Sequence, residues 1–432
     1  MSINFTVLIP VLLLTTVCIH ASEEREDVRA NLAFSLDASA EFTDNALKEY
    51  TDIVDERHDT IVLDVEGGWQ NRYLAIDADY KFTKRSFSEG TEPDDSTIDG
   101  QASIDIAKGK PIYMNLFHSR RQVLNDPSNA PLFTNFEERD ILRAELGLVF
   151  PFGSVDTLSI VPYASKVKLE KAKELDNERL GGDLKWSRRL STTDQFVVEL
   201  TGYGSSFDDG SRDYDLARWS FGYQATLRRL EYNINAGINK ISPSIGRETE
   251  APFYNASIEY SGPLQEFSVN GSRLLTDSSR GNDNQQNSSP FNIRSGSEGN
   301  VDQMELTTYS LDYTAYWFCS RCSLDVFLSV EDEAYISLEE QDNQRRRQFL
   351  RGSYKLAAKT TFQVSGGILK SEFKNNPLNN YEETKVEIKL IYRPSVHWSI
   401  SFFGAKEDRD ATNNVQRGYS EQVVGLSVRY SS

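Results

Sequence analysis

Few side chains in this sequence are suited to metal or nucleophile chemistry, with only 4 His, 3 Cys and 3 Met among 432 residues. Long hydrophobic runs are equally scarce. Beyond the N-terminal segment no stretch reaches the ~18 apolar positions that a spanning helix needs, which excludes a polytopic helical membrane protein. Basic residues are outnumbered, 47 Lys and Arg against 65 Asp and Glu, giving a formal net charge of −18. That balance argues against nucleic acid, which calls for a basic footprint. Aromatics, by contrast, are plentiful: 20 Tyr and 23 Phe are too many for a disordered chain. The mean hydropathy of −0.51 still allows a transmembrane β-barrel, in which only every second residue meets lipid.

The N-terminus sets the compartment. Residues 5–19 are apolar apart from Pro10 and three Thr, and His20-Ala21-Ser22-Glu23 follows. This reads as a secretory signal with cleavage near Ala21, although no Lys or Arg precedes the apolar stretch. The expected organisation is a signal peptide over 1–21 and one exported domain over 22–432. Its two remaining cysteines lie in Cys319-Ser320-Arg321-Cys322. Such spacing suits redox chemistry or half of a zinc site. No second pair completes a zinc site, and no helix-forming stretch follows to depress a thiol pKa. Alternating residues flank both sides, so the pair reads as a candidate disulfide stapling a tight hairpin in an oxidising compartment.

A period of two dominates the body. Ala217, Trp219, Phe221, Tyr223, Ala225 and Leu227 alternate with Arg218, Ser220, Gly222, Gln224, Thr226 and Arg228. Val386, Ile388, Leu390 and Tyr392 alternate with Lys385, Glu387 and Lys389, and Ile76, Ala78 and Tyr80 with Asp77 and Asp79. Between such runs, short turns take turns with longer polar segments. Nine short and ten long connections imply an all-β chain of about twenty strands, with eighteen as the alternative count. Long loops at one end only are characteristic of a transmembrane antiparallel up-and-down β-barrel, with tight periplasmic turns and long extracellular loops. Closure also hides every strand edge, which a sheet in lipid requires.

The C-terminal run Gly425-Leu426-Ser427-Val428-Arg429-Tyr430 resembles the terminal-strand signal by which bacterial assembly machinery recognises outer-membrane barrels, so Gly425, Val428 and Tyr430 are its candidate carriers. Trp69, Trp317, Tyr392 and Trp398 all adjoin short turns, where a periplasmic aromatic girdle belongs. The stretch Leu36-Asp37-Ala38-Ser39-Ala40-Glu41-Phe42-Thr43-Asp44-Asn45, then 60–69 ending in Gly-Gly-Trp, resembles outer-membrane β-barrel porins associated with exosortase (PEP-CTERM) and exopolysaccharide loci. The segment from Arg120 through Glu138-Arg139-Asp140 to Pro151-Phe152 is similar to the same group. The resemblance implies the outer membrane of a diderm bacterium and a link to surface polysaccharide. It brings no catalytic residue with it.

Chemistry is otherwise thin. His58, His118 and His397 have no sequence context that builds a hydrolase triad, and no Gly-x-Ser-x-Gly elbow occurs. No His or Cys spacing supports a metal. Acidic loops such as 89–95 and Glu331-Asp332-Glu333 lack the ligand order of a calcium loop, and Arg345-Arg346-Arg347 reads as a solvated charge run. Strand charges carry more weight. Asp77, Asp79, Arg218, Arg228, Lys385, Glu387 and Lys389 are candidate lumen residues, because a charge facing lipid at mid-membrane costs ~2–4 kcal/mol. Two readings stand for them: rings that set ion selectivity, or mutual partners that fill a plugged interior.

The sequence therefore predicts an outer-membrane barrel that acts as a porin-like channel or export conduit, without cofactor and not an enzyme. Expected partners are outer-membrane lipid and lipopolysaccharide, the barrel-assembly machinery and exopolysaccharide, with no nucleic acid. The alternatives are a non-conducting structural or adhesion barrel and a secreted soluble carbohydrate-binding β-protein.

Overall fold

The computed structural model describes residues 29–124, 128–280, 302–411 and 413–432. The expected signal segment over 1–21 and most of the long 276–300 loop lie outside these residues. No helix among the described residues is long and apolar enough to cross a membrane. The chain is a succession of strands: β1 (Arg29–Thr43), β2 (Glu56–Gln70), β3 (Leu74–Phe87), β4 (Asp95–Ile106), β5 (Ile112–Leu124), β6 (Phe136–Phe152) and β7 (Asp156–Leu169). Then come β8 (Asn177–Arg189), β9 (Asp194–Phe207), β10 (Tyr214–Thr226), β11 (Leu230–Pro243), β12 (Thr249–Ser261), β13 (Gln265–Asp277) and β14 (Gln303–Ala315). The wall finishes with β15 (Cys322–Tyr335), β16 (Asn343–Ala357), β17 (Thr360–Phe373), β18 (Tyr381–Tyr392), β19 (Trp398–Asp410) and β20 (Tyr419–Ser431).

Every strand runs antiparallel to its chain neighbours, and β20 returns to β1 in a register from Ser35↔Ser431 to Thr43↔Val423. The Ser432 amide completes that seam by donating to the Phe34 carbonyl at 3.0 Å. The result is a closed 20-stranded barrel, which decides against the eighteen-strand count. Strands of 12 to 17 residues exceed the ~9–11 needed to span. Nine tight turns form one rim together with both described ends of the chain, and the longer connections form the other.

Alternation sorts each strand into two faces. On β1, Leu32, Phe34, Leu36 and Phe42 are 43 to 72 % exposed, and Leu36 stands in register with Leu63 of β2 and Tyr430 of β20. The same outward set continues through Phe82, Ile104, Leu116, Leu146, Ile160, Leu184, Leu200, Phe221, Ile234 and Ile258. Aromatics border this apolar belt near the turn rim. Outward charges such as Lys84, Lys168, Lys240, Lys370 and Asp408 border it near the loop rim. A belt of about ten residues of tilted strand matches the ~25 Å apolar band of membrane barrels. An apolar belt around a polar interior is the architecture of the outer-membrane class, and it decides against the secreted soluble carbohydrate-binding β-protein.

The wall is not uniform. Pairing of β12 with β13 stops at Tyr254↔Arg273, whereas β12 stays paired with β11 as far as Thr249. Pairing of β4 with β5 likewise stops at Gly100↔Arg120, but there the Asp99 carboxylate accepts the Gln122 amide at 2.9 Å and bridges the gap.

Candidate functional site: the lumen and its loop-rim mouth

The inward positions of β1 to β4 carry carboxylates. Glu66, Asp77 and Asp79 face the interior beside Asn31, Gln101 and Ser103 around a recess of about 260 Å³. Among the described residues no cation comes within ion-pair distance of Glu66, Asp77 or Asp79. Asp64, by comparison, is neutralised by Arg429 at 3.2 Å.

Arg218 also points inward. Its Nη2 donates to Thr201 Oγ1 at 3.1 Å, and its guanidinium lies 4.7 Å from the centre of the Phe253 ring. Arg228 does not line the lumen: it sits exposed in the tight turn between β10 and β11, because the strand ends at Thr226. Alternation carried two residues too far there. Lys385, Glu387 and Lys389 share the inner face of β18. Lys385 reaches Glu407 Oε2 at 2.9 Å, and Lys389 lies 5.6 Å from the Phe403 ring centre.

Residues 88–94 form a largely exposed loop, but the Glu331–Glu333 and Arg345–Arg347 runs are strand segments and not solvated loops. Glu331 and Glu333 belong to β15 and Arg345 and Arg347 to β16, all inward and buried; only Arg346 of its run is exposed outward. Arg345 donates to Glu331 Oε1 at 3.0 Å and Glu333 Oε2 at 2.8 Å. The three consecutive arginines look alike in sequence, yet the strand period sends the middle one to the opposite face.

Two connections fold into the barrel mouth. Beyond Leu275 the chain turns inward, and buried Asp277 accepts both 2.8 and 2.9 Å hydrogen bonds from Arg179 of β8 and a further one from the Tyr214 hydroxyl. Ser279 carries the contact on: its carbonyl accepts from Arg139 at 3.1 Å and its hydroxyl from Asn177 at 3.0 Å. Beneath lies an apolar cluster inside the barrel that includes Tyr203, Phe207, Tyr214, Leu216, Ile241 and Leu275. From the other side, the β5–β6 connection presents the Ser128 and Asn129 carbonyls to Arg409 of β19 at 2.6 and 3.0 Å. Arg409 also pairs with Glu383 at 3.2 Å and stacks 3.7 Å over Tyr381. None of these mouth residues stood out in the sequence, because each is one polar residue among many until the loops place it.

The first loop turns inward as well. Lys48, with a left-handed φ of 51°, sets its amine 2.8 Å from Glu407 and 2.7 Å from Glu421. Burial alone would lower the Lys48 pKa, but the Glu407 and Glu421 carboxylates outweigh it and hold the amine above the usual lysine value.

At the turn rim, Cys319 and Cys322 form a disulfide in the β14–β15 connection. Trp317 beside it donates to the Tyr313 hydroxyl at 3.0 Å, and Trp398 meets Tyr430 edge-on at 5.1 Å. Tyr392 and Trp398 are exposed and outward, and Trp69, half-buried, shares the outward face by its register with Ala30. Val428 and Tyr430 face outward on β20. Gly425 faces inward beneath the Phe403 ring, where a Cβ would collide. The histidines sit apart: His58 by Glu56 at 3.3 Å, His118 between Tyr80 at 2.5 Å and Asp140 at 3.5 Å, His397 on the Ser431 carbonyl at 2.8 Å. Among the described residues no group of three or more His, Cys, Asp or Glu side chains is placed to hold a metal.

No family model matches the chain, and no curated protein sequence matches it. Solved structures do. The outer membrane protein OpdK of Pseudomonas aeruginosa is 10% identical, with 94% of this chain and 98% of that one covered and a TM-score of 0.39. The copper transporter OprC is 8% identical over 95% and 82%, at a TM-score of 0.46. A loop-deleted form of OmpT from Vibrio cholerae is 12% identical over 94% and 99%, at 0.36. What this barrel does follows from its own wall and interior.

Proposed function

We propose that the chain is a porin-like passage through the outer membrane for small hydrophilic solutes, with a preference for cations. The observation that carries this reading is the inward arc of Glu66, Asp77 and Asp79, carboxylates with no ion-pair partner among the described residues, in a closed wall whose outer belt is apolar. Such charges set the potential felt by a permeating ion, and low-dielectric walls focus it. Passage is passive and the reading assigns no reaction. The resemblance of 36–45 and 60–69 to barrels beside exopolysaccharide loci adds surface sugars as cargo, neutral or basic ones being favoured over uronates by the same carboxylates. The outward charges near the loop rim face the level of lipopolysaccharide phosphates, and the β20 end serves the assembly machinery.

The test is conductance of the purified barrel in planar bilayers under a potassium chloride gradient. Stepwise openings with a cation-selective reversal potential are expected, and replacing the three carboxylates by Glu66→Gln, Asp77→Asn and Asp79→Asn should move that potential toward zero. A native protein that prefers anions would sink the cation reading. A second reading, a non-conducting structural barrel, has its own support in the two connections tied across the mouth to Arg179 and Arg409. Silence in the same bilayers at every voltage would decide for it.

A further inference from the structure

Midway along most strands the inner wall is ionised, with Asp77 and Asp79 on β3, Arg143 and Glu145 on β6, and Lys385 and Glu387 on β18. One arc differs. Gln195, Gln224, Asn233, Ser257, Asn270, Ser310 and Ser329 stand in register across β9 to β15, one inward residue from each strand. Every one of them is an uncharged amide or hydroxyl. The next row toward the loop rim, from Asn235 to Thr308, repeats the pattern.

The row climbs. Strands of a barrel tilt by ~35–45°, so a line of registered residues winds up the wall instead of circling it level. Gln195 stands beside the turn-rim start of β9, and Ser329 midway along β15. At the foot of the row lies a recess of about 420 Å³, lined in part by Arg189, Asp194, Gln195, Gln224, Glu231 and Asn233. That volume falls within the ~300–1,000 Å³ of small-ligand sites.

The amides are held ready. Gln195 Nε2 donates to Gln224 Oε1 at 2.6 Å, Asn235 Nδ2 to Asn233 Oδ1 at 2.9 Å, and Asn270 Nδ2 to Ser268 Oγ at 2.9 Å. So fixed, Gln224 and Asn233 keep their amino groups as donors, and Asn270 its carbonyl as an acceptor. At the head of the row, Ser329 Oγ is buried without a hydrogen-bond partner among the described residues. Registered neighbours lie ~4.8 Å apart, about the length of one sugar ring. A sugar hydroxyl both donates and accepts, as an amide does, and neither brings the desolvation cost of a charge.

We infer that this row is a track for an uncharged, polyhydroxylated chain, a neutral oligosaccharide that enters at the turn-rim recess and passes upward from amide to amide. Glu231 and Glu259, in register one row nearer the turn rim, repel an acidic chain of the same length. The inference deepens the passage reading and rests on it, but not on the ion preference.

The test measures ion current through the full barrel in planar bilayers while maltohexaose, or a galacturonic acid hexamer, is added to either side. Maltohexaose is expected to interrupt the current in brief single-molecule blocks, and the acidic hexamer to leave it open. Asn233→Leu with Asn270→Leu should shorten the blocks about tenfold, as the loss of one or two hydrogen bonds implies, with the open-channel current unchanged. Asn233→Gln with Asn270→Gln should keep the native blocks. Heat-modifiable mobility on a gel shows that each variant has folded. An open channel that maltohexaose never blocks overturns the track. So do blocks that the leucine pair leaves as long as before, or equal blocking by the acidic hexamer. A barrel that carries no current is a different failure, since it removes the passage reading itself. Titration calorimetry of maltohexaose into the same barrel in nanodiscs then decides the sugar site: binding lost in the leucine pair supports it, and no binding overturns it.

Discussion

Arg345 illustrates how a single side chain inside a barrel can be costly to remove. Its guanidinium lies within 3.0 Å of both Glu331 and Glu333, all three groups being almost wholly buried. Arg345→Ala would take a close cation away from two buried carboxylates, a change that typically costs about 3–5 kcal/mol. The barrel-to-unfolded transition on a heated gel should fall accordingly, whereas exposed, outward Arg346→Ala should leave it in place. Asp277→Asn is expected to act on passage instead: it weakens the tie to Arg179, and single-channel conductance should rise while the folded mobility is kept. Unchanged conductance would show that the tie does not narrow the mouth. The Lys48 amine gives a pH prediction. Its pKa is raised in the folded state, so its stabilisation is complete below the unfolded lysine value of about 10.4 and is lost only as pH climbs through the higher folded value. Lys48→Met should therefore lower stability at neutral pH and flatten its decline under strong alkali, as read by thermal unfolding at a series of pH values. At this scale the sequence was only partly legible. It placed Asp77, Lys385 and Arg218 on a polar face, but nothing local distinguishes Arg345 from Arg346, or Arg179 and Arg409 from any other strand arginine, since their meaning comes from residues up to 281 positions away.

A strand is the unit in which the sequence was most readable. Period two, tight turns and polar loops gave the strand number directly, because a wall one sheet thick has no second layer to obscure the alternation. The reading failed at strand ends, where Arg228 falls into a turn and Glu331 to Glu333 extend a strand past the point where a loop was expected. Ladder bonds continue there irrespective of side-chain polarity, since both faces at the loop rim are wet or lined by charges. β18 offers a test of the sorted faces. Val386→Arg would put a charge on the apolar belt and should cost up to ~2–4 kcal/mol, depending on its depth. Glu387→Gln, one residue along on the inner face, should cost far less in urea unfolding from lipid vesicles. Equal losses would mean that the two faces are wrongly assigned.

For the molecule as a whole, the seam between β20 and β1 joins residues nearly four hundred positions apart in the chain: the Ser432 amide bonds to the Phe34 carbonyl, and Thr43 Oγ1 to Glu421 at 2.7 Å. Every other pairing in the wall joins strands adjacent in sequence. A ribosome and an export channel deliver such a chain in order, so hairpins can form one after another while the circle stays open. The two edges then wait for the thirteen residues of β20. Completion is thus an event in time as well as a contact in space, and it is reported by the arrival of a single strand. A copy cut short before Tyr419 would hold nearly all its local contacts and still present two bare edges to lipid, an all-or-none distinction between finished and unfinished barrels that a cell can read without inspecting anything else.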